Sequence, residues 1–140
     1  MTPVIIVIVA LFVLAAVIYT IKFLKRPTAD SSRRQMDLAM VGLNQMIRKN
    51  PNDPVAFTKR GVIRFKKGDP KGALADLDRA VQLDPSSTEA HYHRGVVLQS
   101  QGEVSKADKE YNWVMAHSED PFYKTAVSSR LIGLHKGVRR

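Results

Sequence analysis

The chain has 140 residues, no cysteine and a formal net charge of +9. The lack of cysteine excludes disulfides, thiolate catalysis and cysteine-ligated zinc, and the charge invites a nucleic-acid reading that its distribution must decide. The first predicted element is Val4–Ile21, a run with no charge and almost no polar group. As a helix it would reach about 27 Å, against roughly 30 Å for the hydrocarbon layer of a bilayer. The expectation is a permanent transmembrane anchor over residues 1–24. A cleaved signal peptide fits less well, because Met1-Thr2-Pro3 has no basic side chain, the run is long and nothing near Tyr19–Leu24 resembles a cleavage site.

Lys22, Lys25, Arg26, Arg33 and Arg34 follow this run and no basic residue precedes it. The positive-inside rule then predicts a single-pass protein with its N-terminus outside and its C-terminal domain on the cytoplasmic side, in a bacterial inner membrane, a thylakoid or an organelle membrane. The same five residues are the candidate membrane-surface cluster, with the lipid bilayer as partner. Pro27 stops the first helix, and residues 25–32 read as a basic hinge.

Residues 33–136 read as a helical domain and 137–140 as a basic tail. Ser32-Arg33-Arg34-Gln35 has the capping-box pattern, so a helix is predicted from there to about Lys49. Further helices are predicted over about Pro54–Lys67, Pro70–Leu83, Thr88–Gln101, Val104–His117 and Pro121–Lys136. Asp53-Pro54, Asp69-Pro70 and Asp120-Pro121 each place an N-cap acid before a proline at the first helical position. The short connections require antiparallel neighbours.

One sequence interval recurs throughout this domain. It links Ala56 to Ala90, Arg60 to Arg94, Gly61 to Gly95, Val62 to Val96, Gly68 to Gly102 and Ala73 to Ala107. A fixed period of this size, with helical content, means stacked helix–turn–helix units. Gly61 and Gly95 fall mid-helix, where glycine costs roughly 1 kcal/mol relative to alanine, so close helix approach is expected there.

The excess charge lies at the ends. Residues 22–34 are +4 and residues 121–140 are +5, whereas residues 35–120 hold 12 basic and 12 acidic side chains. The neutral middle has no interleaved aromatic and basic stripe, so nucleic acid is excluded as a partner. The histidines show no converging metal-ligand pattern, and no nucleophile elbow or phosphate-binding loop occurs. No enzyme activity, metal or cofactor is expected.

Pro54–Pro85 resembles the tetratricopeptide repeat (TPR) family: Phe57 at the large aromatic position, Gly61 at the small one, Gly68-Asp69 at the turn, and Ala73, Leu77 and Ala80 on the second helix. Thr88–Glu119 resembles it less closely, with His91 in place of the aromatic. The resemblance extends into the flanking helices and implies a short TPR-like α-α superhelix of about six helices, which with the transmembrane helix expected from the apolar run makes an all-α fold. Arg60 and Arg94 depart from the family's usual Leu. Each has an acid at the same place on the following helix, Asp76 and Glu110, and is expected to lie between paired helices and meet that acid.

By resemblance, the inner face of the first helices binds a peptide or helix of another protein. The candidate partner-binding residues are Val55, Thr58, Val62, Phe65, Lys66, Glu89, Tyr92, Val96, Gln99, Tyr123 and Arg130. Val62, Phe65 and Val96 have packing against neighbouring helices as the plainer reading. Chaperone-binding members of the family clamp a C-terminal carboxylate with Lys and Asn, where this chain has Thr58, Val62 and His93. The surface suits an amphipathic helix or an extended apolar segment. The expected function is a membrane-anchored scaffold or adaptor that assists assembly of a membrane protein complex, photosynthetic complexes included. The alternative is a receptor for targeting peptides, similar to the mitochondrial outer-membrane presequence receptor.

Overall fold

The structure is a computed structural model that describes residues 2–24 and 29–137, with side chains at 7–21, 23 and 30–134. The described residues form seven α-helices: α1 (Thr2–Leu24), α2 (Ala29–Lys49), α3 (Pro54–Lys66), α4 (Pro70–Leu83), α5 (Thr88–Ser100), α6 (Val104–His117) and α7 (Pro121–Gly137). They divide into two compact units, Met1–Asp37 and Leu38–Arg140.

In the first unit, α1 exposes apolar side chains on every side, among them Leu11, Phe12, Val13 and Tyr19. The expected membrane anchor is not borne out. Among the described residues, no helix is long and apolar enough to cross a membrane. The fold class is therefore an all-α helical repeat in which the described residues supply no transmembrane helix. The predicted topology, N-terminus outside and body on the cytoplasmic side, loses the span on which it rested. Of the predicted membrane-surface residues, Arg33 and Arg34 are exposed on α2, and Arg34 pairs with Asp30 one turn earlier. Lys25 and Arg26 lie outside the described residues, as does the side chain of Lys22. Because α2 starts at Ala29, Ser32 sits inside the helix and does not cap it.

In the second unit, the Asp-Pro pairs act as helix starts. The Asp53 carboxylate accepts from the backbone N–H of Val55 at 2.9 Å and Ala56 at 3.1 Å. Asp69 accepts from Gly72 at 2.8 Å, and Asp120 from Phe122 at 2.8 Å. These contacts satisfy N–H groups that have no partner within the helix. Gly68 and Gly102 end α3 and α5 with φ of 85° and 79°, the left-handed region that glycine enters without Cβ strain.

Successive helices pack as α3 on α4, α4 on α5, α5 on α6 and α6 on α7. The first helices of successive pairs also meet, α3 with α5 and α5 with α7, which lines them up along one side. Both mid-helix glycines mark close approach. A Cβ on Gly61 would stand 3.0 Å from Leu77 Cγ and 3.1 Å from the Ala73 carbonyl oxygen, and one on Gly95 would stand 2.6 Å from Tyr111 Cε1. One apolar core joins Leu98, Ala107, Tyr111, Val114, Val127 and Leu134 across α5, α6 and α7. A second joins Ala73, Leu77 and Val97 across α4 and α5.

Candidate protein-binding groove

The groove is framed by ion pairs between helices. Arg60 on α3 donates Nε and Nη2 to the two carboxylate oxygens of Asp76 on α4, at 2.8 and 2.7 Å. Its Nη1 reaches Asn44 Oδ1 on α2 at 2.9 Å. Asp76 is 3% exposed and also meets Arg64 at 3.1 Å. One repeat later, Arg94 Nη2 donates to Glu110 at 2.6 Å, and Arg94 Nη1 lies 3.3 Å from Asp78 on α4. The two arginines thus sit between paired helices and meet Asp76 and Glu110, as the sequence led us to expect. The Asp76 hydrogen bond, stronger here than the cost of burial, holds the Arg60 guanidinium above its ordinary range.

His91 is buried, where the first repeat has Phe57. Its Nδ1 is 2.7 Å from a Glu110 carboxylate oxygen and its Nε2 is 3.1 Å from the Pro85 carbonyl. The ring stacks on Trp113 with centroids 3.7 Å apart, and Trp113 stacks in turn on His117 at 4.4 Å. Burial pushes the Glu110 carboxyl up, but hydrogen bonds from His91 and Arg94 outweigh it and leave the group below the usual carboxylate range.

Two neighbouring hollows lie along α2, α3, α5 and α7. One, of about 190 Å³, is lined by Val62, Phe65, Lys66, Leu77, Tyr92, His93, Val96, Val97 and Arg130. The other, of about 390 Å³, is lined by Ala39, Leu43, Met46, Lys59, Val62, Ile63 and Glu89. Val62 belongs to both, so the two adjoin at α3, one reaching α2 and the other α5 and α7.

The predicted partner-binding residues divide among these places. Val62, Phe65, Lys66, Tyr92, Val96 and Arg130 line the first hollow, and Glu89 lines the second. Tyr123 meets Tyr92 edge-on at 5.4 Å. Gln99 accepts from Tyr111 Oη at 2.8 Å and from Arg130 Nη1 at 3.2 Å. Val55 is 50% exposed and lines neither hollow. Thr58 is 2% exposed and its hydroxyl donates to the Pro54 carbonyl at 2.9 Å, so it is spent inside the fold. Sequence reasoning put His93 on this face but not among the binding residues, and it missed the α2 residues Ala39, Leu43 and Met46. His93 was within reach of it, because the repeat interval carries Lys59, which lines one hollow, onto His93, which lines the other. Burial first, then Lys66 and Arg130, push the His93 imidazole down to about 4.

Comparison with known proteins follows the fold. The family model of the TPR repeat matches residues 61–102. The human DnaJ homolog subfamily C member 3 is 28% identical over 83 residues, 59% of this chain and 16% of that protein. The Arabidopsis thaliana Hsp70-Hsp90 organizing protein 3 is 30% identical over 74 residues, 53% of this chain and 13% of that protein. The chain thus spans only a small part of the length of these curated relatives. The solved first TPR of Spaghetti (RPAP3), bound to the HSP90 peptide SRMEEVD, has the same fold, with a TM-score of 0.70 at 22% identity over 78% of this chain and 84% of that one. The TPR repeat model thus matches from α3 to the end of α5 and the solved neighbour shares the fold, and neither supports an N-terminal membrane anchor.

Proposed function

We propose that the chain is a TPR adaptor that holds a segment of a partner protein in the groove of α3, α5 and α7. The observation that carries this is the pair of mainly apolar hollows that adjoin at Val62, a surface of the kind that receives a peptide or one face of a helix. The related solved TPR holds a peptide of another protein, which supports binding rather than chemistry as the use of this fold. We infer an accessory role, in which the adaptor retains one subunit while a larger complex forms, membrane complexes among them. Capture of targeting presequences is disfavoured by charge. Such peptides are rich in arginine and poor in acids, and Lys66 and Arg130 would repel them.

The test is a photo-crosslinking residue at Phe65 in one version of the chain and at Lys109, on α6, in another. The Phe65 version should yield discrete cross-linked partners that disappear when Val62→Glu or Val96→Glu is added. Equal cross-linking from Lys109, or persistence of the Phe65 products with either glutamate present, would overturn the proposal.

A further inference from the structure

Arg130 departs from the pattern of the other sheltered arginines. Arg60 and Arg64 meet Asp76, and Arg94 meets Glu110 and Asp78. Arg130 is equally part-buried, yet among the described residues it meets no carboxylate. Its contacts are neutral: Nε lies 3.3 Å from Tyr92 Oη, Nη1 lies 3.2 Å from Gln99 Oε1, and the guanidinium stands 5.6 Å from the Tyr92 ring centroid. These contacts fix its position without neutralising it. Gln99 is itself held by the Tyr111 hydroxyl, whose pKa burial pushes up to about 12, so the tyrosine remains a donor.

The register sharpens the contrast. The repeat interval that carries Val62 onto Val96 carries Val96 onto Arg130, so the three occupy one position of three successive first helices. The first two supply apolar wall. The third supplies a cation at the end of the same wall, and Lys66 lines that hollow as well. Near neutral pH, His93 between them adds no charge, since burial and these two cations keep its proton off. The hollow therefore offers apolar surface and an unneutralised, pre-positioned guanidinium in one place.

We infer that Arg130 receives an aspartate or glutamate side chain of the partner segment, next to an apolar side chain that enters between Phe65, Leu77 and Val96. This rests on the groove reading and names the chemistry of its occupant. Burying a guanidinium against an apolar segment without a counter-charge is costly, so a neutral occupant would be rejected. A side-chain carboxylate fits better than a chain end. A terminal carboxylate would call on further donors where Val62 has none and Thr58 is spent on Pro54.

A phage library of random dodecapeptides, panned on the full chain, tests the inference. Selected peptides should carry an internal Asp or Glu beside an apolar residue. Changing that Glu to Gln should weaken binding roughly ten- to a hundredfold, as losing a charge-assisted contact does. Arg130→Gln should weaken the Glu peptide by a similar factor and should not weaken the Gln peptide further. Unfolding curves of Arg130→Gln confirm that it is folded. The unmodified protein supplies an independent readout, because a bound carboxylate offsets Lys66 and Arg130 and raises the His93 pKa, as followed by NMR. Selected peptides that bind equally well as Gln variants, or that need only a free C-terminus, would overturn the inference and leave the groove reading standing. Binding that survives Val96→Glu would overturn both.

Discussion

At the scale of residues, buried charge decides more than exposed charge. Asp76 is held by two arginines, and removing Arg60 leaves it with Arg64 alone. Arg60→Leu should therefore destabilise the chain by about 2–3 kcal/mol, read as a shift of the urea midpoint, and leave groove binding intact. Lost binding at unchanged stability would assign Arg60 to the partner instead. His93 acts in the opposite sense. Its folded pKa, about 4, lies below its ordinary value near 6.5, so between these limits the unfolded chain binds the extra proton. This contribution to stability is complete above pH 6.5 and is lost as pH falls toward 4, by at most about 3 kcal/mol, less what solvent screening at this partly exposed ring removes. His93→Gln should flatten that part of the stability–pH curve relative to the unmodified chain.

At the scale of elements, helix starts carry the sequence signal. α3, α4 and α7 begin at the Asp-Pro pairs, and these starts were legible because one short side chain and one ring fix the local backbone. The start of α2 was not. The Ser32 pattern is a genuine cap signal, but the helix begins earlier, at Ala29, and Asp30 pairs with Arg34 along its face. The wall positions Val62 and Val96 were legible from the interval. The buried state of Thr58 was not, since that depends on the packing of the whole pair. α6 stands apart because Glu103 precedes it with no side-chain cap bond. Glu103→Ser should stabilise by about 0.5–1 kcal/mol in thermal or urea unfolding, even though the Lys106 contact at 3.2 Å is given up.

At the scale of the whole molecule, two full repeats are fewer than the three a stacked array usually needs. α7 makes up part of the difference. Val127 is completely buried in the core it shares with Leu98, Tyr111 and Val114, although it belongs to a half-repeat. Val127→Ala should lower the midpoint of the whole unfolding transition by about 2 kcal/mol, and should not produce a separate early phase in α7. The anchor expected at the other end shows the limit of composition as evidence. The apolar run suggested a span, yet among the described residues no helix is long and apolar enough to cross a membrane. The stacked column of His91, Trp113 and His117 has a practical use. Trp113 is the chain's single tryptophan, clasped by two imidazoles at the seam of α5 and α6. Its native fluorescence is therefore a built-in gauge of that seam, readable without a label.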